Sequence, residues 1–386
     1  MGPPECRTIN PGGSHRVVIT KELPGERWLA LLTTAGCRID ICASPEPLPS
    51  DHIRALLDGG CVAAIGQLTE TWDEQTLTAL KDAGGAVYAN YAVGYDNVDI
   101  AAATRLSLPV GTTPGVLTET TAELAVALTF AAARRIAEGD KFMRDGRYTG
   151  WLPALLLGRL LWHGTLGIIG AGRIGMAYAR MLVEGHKMDV IYHDPARNKA
   201  LEEYVADYSR FLQEHGRKPV HCRRADSVEE VLRQADVVSL HAVLTESTRH
   251  LIDGPRLALM KDDAILINSS RGPLVDEAAL VEHCRSHAQF RAGLDVYEDE
   301  PALQPGLADL PNVVIVPHLG SATGWTRKAM ATLAAANVVA VLNHWPVWGA
   351  ADVRSFLTDP APKAAPSIVN AADLGLPGCP ATARPA

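Results

Sequence analysis

The sequence predicts an α/β protein of two domains, each a parallel sheet covered by helices, with the second domain inserted into the first. Apolar runs of strand length alternate with helical patterns along most of the chain, and this alternation is typical of parallel sheets. One of these runs, at 165–169, leads through a glycine-rich turn into a helix. Long helical patterns at 118–143 and 323–345 lie on either side of this second set of strands. They would lead the chain into the inserted domain and back again.

Composition excludes several classes of protein. The 386 residues are 47% hydrophobic and 21% charged, which suits a soluble globular chain long enough for two cores. The apolar runs are much shorter than the roughly 20 residues that cross a bilayer, so no membrane partner is expected. A formal charge of −8, without blocks of lysine or arginine, argues against a nucleic-acid partner. Small-molecule chemistry is the better expectation.

Seven cysteines are scattered through the sequence, at positions 6, 37, 42, 61, 222, 284 and 379. Their number is odd, and they show neither a CxxC pattern nor the Cys/His spacing of a zinc site. We therefore expect reduced thiols in an intracellular protein, with no disulfide framework and no metal site.

The first domain begins after residues 1–14, a stretch rich in proline and glycine that predicts a disordered tail without a secretory signal. Strands are then expected at four apolar runs: 16–20, 37–42, 62–66 and 86–90. The loop NYAVGYDNVDI at 90–100 follows the last of them, where open α/β sheets bind ligands. Backbone N–H groups near Val93 and Gly94 could hold a carboxylate there, although a plain connecting loop fits the sequence equally well.

The second domain opens with TLGIIGAGRIG at 165–175, which reads as a strand, a glycine-rich turn and the start of a helix. Gly170 allows the tight turn, Gly172 leaves no side chain between the backbone and a pyrophosphate, and Gly175 lets the helix pack closely on the strand. Phosphates would bind at the helix N-terminus, where free N–H groups and the helix dipole favour anions. The second strand ends at Asp194, where a carboxylate would bind the adenosine ribose hydroxyls of a dinucleotide.

Cofactor choice follows from Asp194, because a carboxylate accepts bonds from ribose hydroxyls and repels a 2′-phosphate. The sequence therefore predicts NADH as the cofactor. NADPH is possible but weaker, because Arg197 lies close by and carries a positive charge.

The rest of the second domain completes a doubly wound sheet. Counted from residue 165, six strands with helical crossovers are expected, and 204–222 reads as extra surface structure before the third strand. We expect a Rossmann-like NAD-binding domain inserted into a smaller flavodoxin-like substrate domain, with boundaries 1–122, 123–321 and 322–386. The stretch beyond about Pro360 is rich in proline and alanine and is expected to lie over the surface.

Three polar residues follow the late strands of the second domain. Arg271 comes after the fourth strand in NSSRGPLVDE, Glu300 after the fifth in DVYEDEP, and His318 after the sixth in PHLGSAT. A guanidinium is a natural bidentate partner of a substrate carboxylate, and an imidazole exchanges protons near neutral pH. A carboxylate beside the imidazole fixes its tautomer and favours its cation. Each residue alone has an ordinary structural explanation, but together at successive strand ends they predict a catalytic site.

The chain resembles the D-isomer-specific 2-hydroxyacid dehydrogenases over nearly all of residues 15–375. The motifs that carry the resemblance are NYAVGYDNVD, TPGVLTETTAEL, GIIGAGRIG with HD at 193 and 194, LHAVLTESTRHLI, NSSRGPLVDE, GLDVYEDEP and VPHLGSAT. Within the family, the likeness is greatest to the plant and algal hydroxypyruvate reductases of photorespiration, which share the WLPALLLG stretch. One departure is Val243, where the family usually has proline; we expect this change to be silent.

The resemblance implies a reaction and the residues that carry it. NADH would deliver a hydride to C2 of hydroxypyruvate, giving D-glycerate, or of glyoxylate, giving glycolate. His318 would be the acid/base and Glu300 its support, while Arg271 and the amides of Val93 and Gly94 would bind the substrate carboxylate. The cofactor-binding residues implied are Gly170, Gly172, Arg173, Ile174, Gly175, Asp194, His241, Thr245, Thr248, Ser270, Asp295 and Thr121.

The resemblance also implies a homodimer, because Trp151 matches a tryptophan that reaches into the partner subunit's active site and binds substrate there. Peroxisomal plant members end in an S-K-L-type tripeptide after LGLP, whereas this chain continues GCPATARPA. We therefore expect the mitochondrial matrix rather than the peroxisome.

Other functions stay open at this point. A phosphoglycerate dehydrogenase without a regulatory domain would share these motifs. Formate dehydrogenases pair their catalytic histidine with glutamine, whereas this chain has Glu300. A transcriptional corepressor with this fold would use the same cofactor site to sense NAD rather than to turn over a substrate.

Overall fold

The computed structural model describes residues 5–379, which form two compact units. Unit 1 combines the chain up to Leu117 with the chain from Ala322, and unit 2 is the intervening segment Thr118–Ser321. Both units are sheets covered by helices, so the predicted α/β class is confirmed. The predicted boundary between residues 122 and 123 lies inside the first helix of unit 2.

Residues 5–379 contain thirteen strands and twelve α-helices, together with three short 3₁₀ helices at Gly272–Leu274, Leu307–Asp309 and Arg354–Leu357. The strands are β1 (Cys6–Ile9), β2 (His15–Ile19), β3 (Cys37–Cys42), β4 (Ala63–Gly66), β5 (Val87–Asn90), β6 (Val110–Gly111), β7 (Thr165–Ile169), β8 (Asp189–His193), β9 (Cys222–Arg224), β10 (Val237–Leu240), β11 (Ile265–Asn268), β12 (Arg291–Leu294) and β13 (Val313–Ile315). The helices are α1 (Arg27–Thr34), α2 (Ser50–Leu57), α3 (Glu74–Asp82), α4 (Ile100–Arg105), α5 (Thr118–Ala133), α6 (Ile136–Arg144), α7 (Arg173–His186), α8 (Lys199–Glu214), α9 (Val228–Gln234), α10 (Gly254–Leu257), α11 (Glu277–Ser286) and α12 (Gly324–Leu342). Not one of these helices has both the length and the apolar character that a membrane span requires.

Unit 1 is a six-stranded sheet in the order β1-β3-β2-β4-β5-β6, and all neighbours except β1 and β3 are parallel. The interior strands β4 and β5 are buried along their whole length, which explains why their residues do not alternate between apolar and polar before Asn90 at the end of β5. Helix α12 belongs to this unit and is buried along most of its length. Its N-cap is Thr323, whose side chain accepts a hydrogen bond from the N–H of Thr326.

The expected disordered tail is wrong for the part of it that the structure describes, and residues 1–4 lie outside the described residues. Cys6–Ile9 forms strand β1, paired antiparallel with β3. The hydroxyl of Thr8 donates to Oδ1 of Asp40 at 2.7 Å across this pair. A proline- and glycine-rich composition could not show this strand, because its partner lies some thirty positions further along the chain.

The expected surface location of the chain beyond about Pro360 is also wrong for residues 364–370, which pack against the edge strand β6. The N–H of Val369 donates to the carbonyl of Val110 at 2.8 Å, and the N–H of Val110 donates to Oδ1 of Asn370 at 3.0 Å. Ala364, Ala365 and Asn370 are each at most 2% exposed. The late segment therefore covers the hydrogen-bonding edge of the sheet in unit 1.

Unit 2 is an entirely parallel sheet in the order β13-β12-β11-β10-β7-β8-β9. It has seven strands rather than the six that were expected, because β9 pairs with β8. The segment 204–222 is not simply surface structure: most of it is helix α8, which buries Leu201, Val205 and Leu212. The three residues of β9 are too few and too polar for their sequence to indicate a strand.

The helix expected at 118–143 is interrupted. Helix α5 ends at Ala133, and Arg135 adopts a left-handed backbone with φ of 54° before α6 begins. The carbonyl of Ala133 accepts the N–H of Arg159 at 2.8 Å. This tertiary bond satisfies a carbonyl at the helix end. A continuous helical pattern could not indicate it, because the donor lies outside that pattern.

Candidate active site

The glycine-rich turn joins β7 to α7, and each glycine has a distinct steric reason. Gly170 has φ of 94°, and a Cβ there would approach the backbone of His241 and Ala242 to 2.6 Å. At Gly175 a Cβ would lie 2.3 Å from the carbonyl oxygen of Gly170, so only glycine lets α7 pack this closely. At Gly172 no atom lies within 4 Å of the position of a Cβ. Open space at Gly172 and tight packing at the other two leave the turn accessible from one side.

The N-terminus of α7 can hold an anion. Gly172 is the N-cap and supplies no side-chain bond to the helix, so the first N–H groups stay available to a ligand. Arg173 is exposed and Ile174 half-buried at the first two helical positions. This steric and electrostatic arrangement fits the pyrophosphate of a dinucleotide.

Asp194 follows β8 and lies directly beside this turn. Its Oδ2 accepts the N–H of Ala171 at 2.9 Å, and its Oδ1 accepts the N–H of Ala196 at 2.8 Å. Arg197 points elsewhere, because its guanidinium binds both carboxylate oxygens of Glu202 at 2.6–3.1 Å. The carboxylate is thus held beside the glycine turn, and Arg197 is paired with Glu202. A second cation, Arg224, donates to the carbonyl of Asp194 at 2.8 and 3.1 Å.

The loop after β10 carries three more of the residues assigned to cofactor binding by resemblance, namely His241, Thr245 and Thr248. Thr248 accepts the N–H of Thr245 at 2.7 Å and donates its hydroxyl to the carbonyl of Val243 at 2.8 Å. Ser270, at the end of β11, donates its hydroxyl to the carbonyl of Ala242 at 2.7 Å. The Thr248 bonds fix the shape of the loop, and the Ser270 bond links the chain after β11 to the chain after its neighbour β10.

His241 begins this loop and is neutral in the folded protein. Its Nε2 lies 2.9 Å from the hydroxyl of Ser239, and its ring lies 5.2 Å from that of Tyr178. Burial lowers the pKa of His241 to about 3. An uncharged imidazole side chain therefore follows directly on the backbone that packs against Gly170 of the glycine turn.

His318 and Glu300 are hydrogen-bonded to each other. Nδ1 of His318 lies 2.9 Å from Oε2 of Glu300, whose other oxygen accepts the N–H of Tyr297 at 3.0 Å. Burial opposes ionisation of Glu300, but its bond to His318 and the charges of His318 and Arg271 together hold the pKa of Glu300 below its usual range. The pair therefore has an ionised carboxylate on Nδ1, which leaves Nε2 as the ring nitrogen that can exchange a proton with a substrate.

Asp295 and Thr121 fix the loop that carries His318. The carboxylate of Asp295 accepts the N–H groups of Leu319 at 2.5 Å and Gly320 at 2.8 Å, and its carbonyl accepts the N–H of His318 at 3.0 Å. Thr121 donates its hydroxyl to the carbonyl of Gly320 at 3.0 Å. These bonds hold His318 at φ of 53°, a left-handed backbone that few residues other than glycine adopt. Burial raises the pKa of Asp295.

Arg271 lies beside this pair at the end of β11. The side-chain amide of Asn268 donates to the carbonyl of Arg271 at 2.8 Å, and the Arg271 guanidinium donates to the carbonyl of Ser270 at 2.7 Å. The next residue is Gly272, where a Cβ would come within 1.9 Å of the backbone of Tyr297. This close approach brings the chain after β11 against the segment that carries Glu300.

Arg271, Glu300 and His318 thus provide a fixed cation, a carboxylate and a proton donor at the carboxyl edge of one sheet. This set suits proton transfer to a substrate that carries its own carboxylate. Within residues 5–379, no group of three or more His, Cys, Asp or Glu side chains is placed to hold a metal ion.

Val93 and Gly94 lie in unit 1, in the loop that follows β5. Both are half-buried, and neither of their backbone N–H groups has an acceptor among residues 5–379. Two adjacent amides of this kind can bind an anionic group. The structure describes this loop within unit 1, whereas the other predicted site residues belong to unit 2.

A pair of side-chain amides in this loop, one buried (Asn90) and one half-buried (Asn97), was not predicted. The side-chain amide of Asn90 donates to the carbonyl of Gly94 at 2.9 Å and to Oδ1 of Asn97 at 3.0 Å. In turn, Nδ2 of Asn97 donates to the carbonyls of Gln67 at 3.1 Å and Glu70 at 2.9 Å. Asn97 therefore ties the loop to the segment after β4. The only signal in the sequence was two asparagines within one polar loop.

Trp151 is 80% exposed in unit 2 and contacts none of the residues described above through a hydrogen bond. The chain around it exposes other large apolar side chains, namely Leu152, Leu157, Leu160 and Trp162. We call residues 151–162 the exposed apolar segment. Helix α6, which precedes it, has no buried residue.

The chain is similar to known proteins over most of its length. The family model described as D-isomer specific 2-hydroxyacid dehydrogenase, NAD binding domain, matches residues 126–320. The chain is 53% identical over 379 residues to glycerate dehydrogenase HPR, peroxisomal, of Arabidopsis thaliana. The matched region covers 97% of this chain and 98% of that protein. The chain is 54% identical over 377 residues to glycerate dehydrogenase of Cucumis sativus, which covers 97% and 99%. A crystal structure of a Thermus thermophilus protein is similar with a TM-score of 0.74 and 41% identity, over 85% of this chain and 97% of that one.

Proposed function

The chain belongs to the D-isomer specific 2-hydroxyacid dehydrogenase family, and from this membership we propose that it reduces hydroxypyruvate to D-glycerate with NADH. Glyoxylate is the second substrate, giving glycolate, and the role is in the photorespiratory glycolate pathway. Two relatives with 53% and 54% identity support this choice, since both are named glycerate dehydrogenases. The observation that carries the proposal is the hydrogen bond between His318 and Glu300.

The mechanism assigns one task to each residue of the pair and to Arg271. Bound NADH supplies the hydride that C2 of the 2-oxo acid accepts. His318 donates the proton from Nε2 to the carbonyl oxygen, because its Nδ1 is held by Glu300. Glu300 stabilises the imidazolium before the transfer and keeps the ring oriented after it. Arg271 binds the substrate carboxylate and polarises the carbonyl.

In unit 1, the amides of Val93 and Gly94 are proposed to bind the substrate carboxylate. Their lack of acceptors among the described residues supports this role, because half-buried N–H groups without a partner are costly unless a ligand or water binds them. The bond from Asn90 to the carbonyl of Gly94 supports it further, since it holds the peptide in one orientation.

We propose NADH as the preferred cofactor. The carboxylate of Asp194 is held in place by two backbone N–H groups, so it remains next to the glycine turn and would repel a 2′-phosphate. Arg197 is bound to Glu202 and would offer little compensation to NADPH.

We also propose that the enzyme is a homodimer. The exposed apolar segment, residues 151–162, has five large apolar side chains between 48% and 80% exposed, and contiguous apolar surface of this kind usually marks an interface. A second copy of the chain is the occupant that the family resemblance implies for Trp151. The mitochondrial matrix remains our prediction for its compartment, to be checked by imaging a full-length fusion with an internal tag.

The decisive experiment is a panel of substrates assayed by loss of NADH absorbance. Hydroxypyruvate, glyoxylate, pyruvate and 3-phosphohydroxypyruvate are compared with the wild type, His318→Ala and the control variant His215→Ala, whose imidazole bonds only to its own helix end. We expect hydroxypyruvate to give the highest kcat/KM, with loss only in His318→Ala. Preference for 3-phosphohydroxypyruvate would indicate a phosphoglycerate dehydrogenase, and absence of turnover with all four would favour an NAD-sensing binding protein.

A further inference from the structure

Two cysteines face each other across the antiparallel pair at the edge of unit 1. The register of β1 and β3 places Cys6 directly opposite Cys42. The neighbouring pair, Glu5 and Ala43, is linked by a backbone hydrogen bond of 3.1 Å. Hydrogen-bonded and non-hydrogen-bonded pairs alternate along an antiparallel ladder, so Cys6 and Cys42 occupy a non-hydrogen-bonded position. At such positions the two side chains lie closest together, with Cα atoms about 4.5 Å apart.

The side chains of Thr8 and Asp40 show how close opposed side chains come between β1 and β3. Thr8 and Asp40 occupy the next non-hydrogen-bonded position on the same face, and their side chains are bonded at 2.7 Å. Cys42 is 1% exposed within the apolar cluster of unit 1, and Cys6 packs half-buried against that cluster. Both thiols therefore lie on the helix-covered face of the sheet, side by side, and only Cys6 is open to reagents from solvent.

We propose that Cys6 and Cys42 are a modification site, a dithiol that forms a reversible cross-strand disulfide between β1 and β3. The distance between opposed Cα atoms at a non-hydrogen-bonded position falls inside the range that disulfides span, so no movement of the backbone is required. The pair contrasts with the other five cysteines, none of which lies opposite another cysteine in the strand registers of the described residues.

The oxidant is a low-molecular-weight disulfide such as glutathione disulfide. The Cys6 thiolate attacks one sulfur of that disulfide, which forms a mixed disulfide and releases one glutathione thiolate. The Cys42 thiolate then attacks Sγ of Cys6, which closes the protein disulfide and releases the second glutathione. The protein loses two electrons and two protons, and the two glutathione sulfurs gain them. A dithiol reductant reverses both steps.

Two properties of the site set the expected behaviour. Burial, followed by the neighbouring Cys42 and Asp40, raises the pKa of Cys6, so the exchange is faster at alkaline pH because only the thiolate reacts. The cross-link joins the first strand to the third, so it closes a long loop of chain and constrains the unfolded state. The oxidised protein should therefore melt at higher temperature than the reduced one.

The test exposes the full chain to glutathione disulfide at mildly alkaline pH, alkylates the remaining thiols, digests the protein and identifies linked peptides by mass spectrometry. We expect a Cys6–Cys42 linked peptide, alkylation of the other five cysteines and a rise in Tm on the order of 5–10 °C that dithiothreitol abolishes. Cys6→Ser and Cys42→Ala should show neither the linked peptide nor the rise, whereas Cys379→Ser should behave as the wild type.

The proposal is overturned by any of three results. Glutathione attached to Cys6 without progress to the protein disulfide would mean that Cys42 is out of reach. A linkage of Cys6 or Cys42 to any other cysteine would contradict the register. Complete alkylation of all seven cysteines after oxidation would mean that the pair does not react. Because Cys42→Ala changes a buried side chain, the mass-spectrometric result for the wild type decides the question by itself.

Discussion

Nδ1 of His318 and Oε2 of Glu300 lie 2.9 Å apart, and the second oxygen of Glu300 is held by the N–H of Tyr297. Both oxygens of the carboxylate therefore have fixed partners, and the imidazole ring has one defined orientation. A general acid acts efficiently only when its proton points at the reacting atom. The bond between these two residues supplies that orientation before any substrate arrives.

Glu300→Gln should shift the pH dependence of the reaction while it preserves the shape of the site. The carboxylate is ionised at neutral pH, because its pKa lies below the usual range, and it stabilises the imidazolium that reduction requires. As the pH is raised, the rate of hydroxypyruvate reduction should begin to decline at a lower pH in this variant than in the wild type, because the imidazolium has lost its stabilising charge. Oxidation of D-glycerate needs neutral imidazole and should tolerate more acid. His318→Ala should lose about 10²- to 10⁴-fold in kcat at every pH. Two pH profiles, one per direction, that coincide with those of the wild type when chemistry limits the rate would refute the pairing.

Asp194→Ala should narrow the proposed preference for NADH over NADPH. The change removes the acceptor for the ribose hydroxyls and the charge that repels a 2′-phosphate, so kcat/KM with NADH should fall on the order of 10-fold. Use of NADPH should rise relative to NADH. Glu202→Gln is the companion variant, because it frees Arg197 without touching Asp194 and should raise NADPH use modestly. Equal kcat/KM for both cofactors in the wild type would contradict the assignment.

Asn97→Ala should weaken substrate binding without weakening cofactor binding. Two hydrogen bonds from its amide, to the carbonyls of Gln67 and Glu70, hold the loop of Val93 and Gly94. At about 1 kcal/mol per bond, the KM for hydroxypyruvate should rise on the order of 10-fold, with kcat affected less. Asn343→Ala is the control, since its amide bonds only within its own helix. An unchanged KM, with the protein folded and NADH affinity intact, would remove Asn97 from the positioning of the loop.

His241 makes the stability of unit 2 depend on pH. The folded imidazole has a pKa of about 3, whereas the unfolded one titrates near 6.5. Between these values the unfolded state binds a proton that the folded state excludes, so stability is complete above about pH 6.5 and is lost as the pH falls. Urea titrations at about pH 7.5 and about pH 5 give the loss of unfolding free energy between these two conditions. This loss should be smaller in His241→Gln than in the wild type. His215→Gln should lose as much as the wild type, and an equal loss in His241→Gln would show that other groups govern this range.

Leu160→Asp should convert the proposed homodimer into monomers. The residue is 80% exposed within the exposed apolar segment, and a buried unpaired carboxylate at an interface costs several kcal/mol. Trp151→Ala should keep the dimer but alter the ratio of kcat/KM between hydroxypyruvate and glyoxylate, with NADH affinity intact. Phe211→Asp, which alters an exposed ring on α8 outside that segment, is the control for light scattering. A wild type that is monomeric and fully active would refute the shared site.

The features that the sequence predicted well are those that depend on local geometry. The spacing of Gly170, Gly172 and Gly175 is set by one turn and one helix end, so the motif carries its own explanation. His318 and Glu300 could be placed at one edge of the sheet because parallel strands end on the same side.

The features that it did not predict depend on partners distant in the chain. Strand β1 exists because β3 offers it an edge, and β9 because β8 does. The break at Arg135 depends on Arg159 reaching the carbonyl of Ala133. Asn97 was hidden for the same reason, because its acceptors belong to a segment some thirty positions earlier.

The segment at residues 364–370, which bonds to β6, determines when unit 1 can be completed during synthesis. Unit 2 has its last residue at Ser321, so all of its strands leave the ribosome while the cover for β6 has not yet been translated. Until Val369 and Asn370 emerge, the nascent chain presents an open strand edge of the kind that pairs with other chains. The inserted domain is therefore translated in full before the domain that surrounds it is complete, and a ribosome that stalls in the last stretch leaves an aggregation-prone edge exposed.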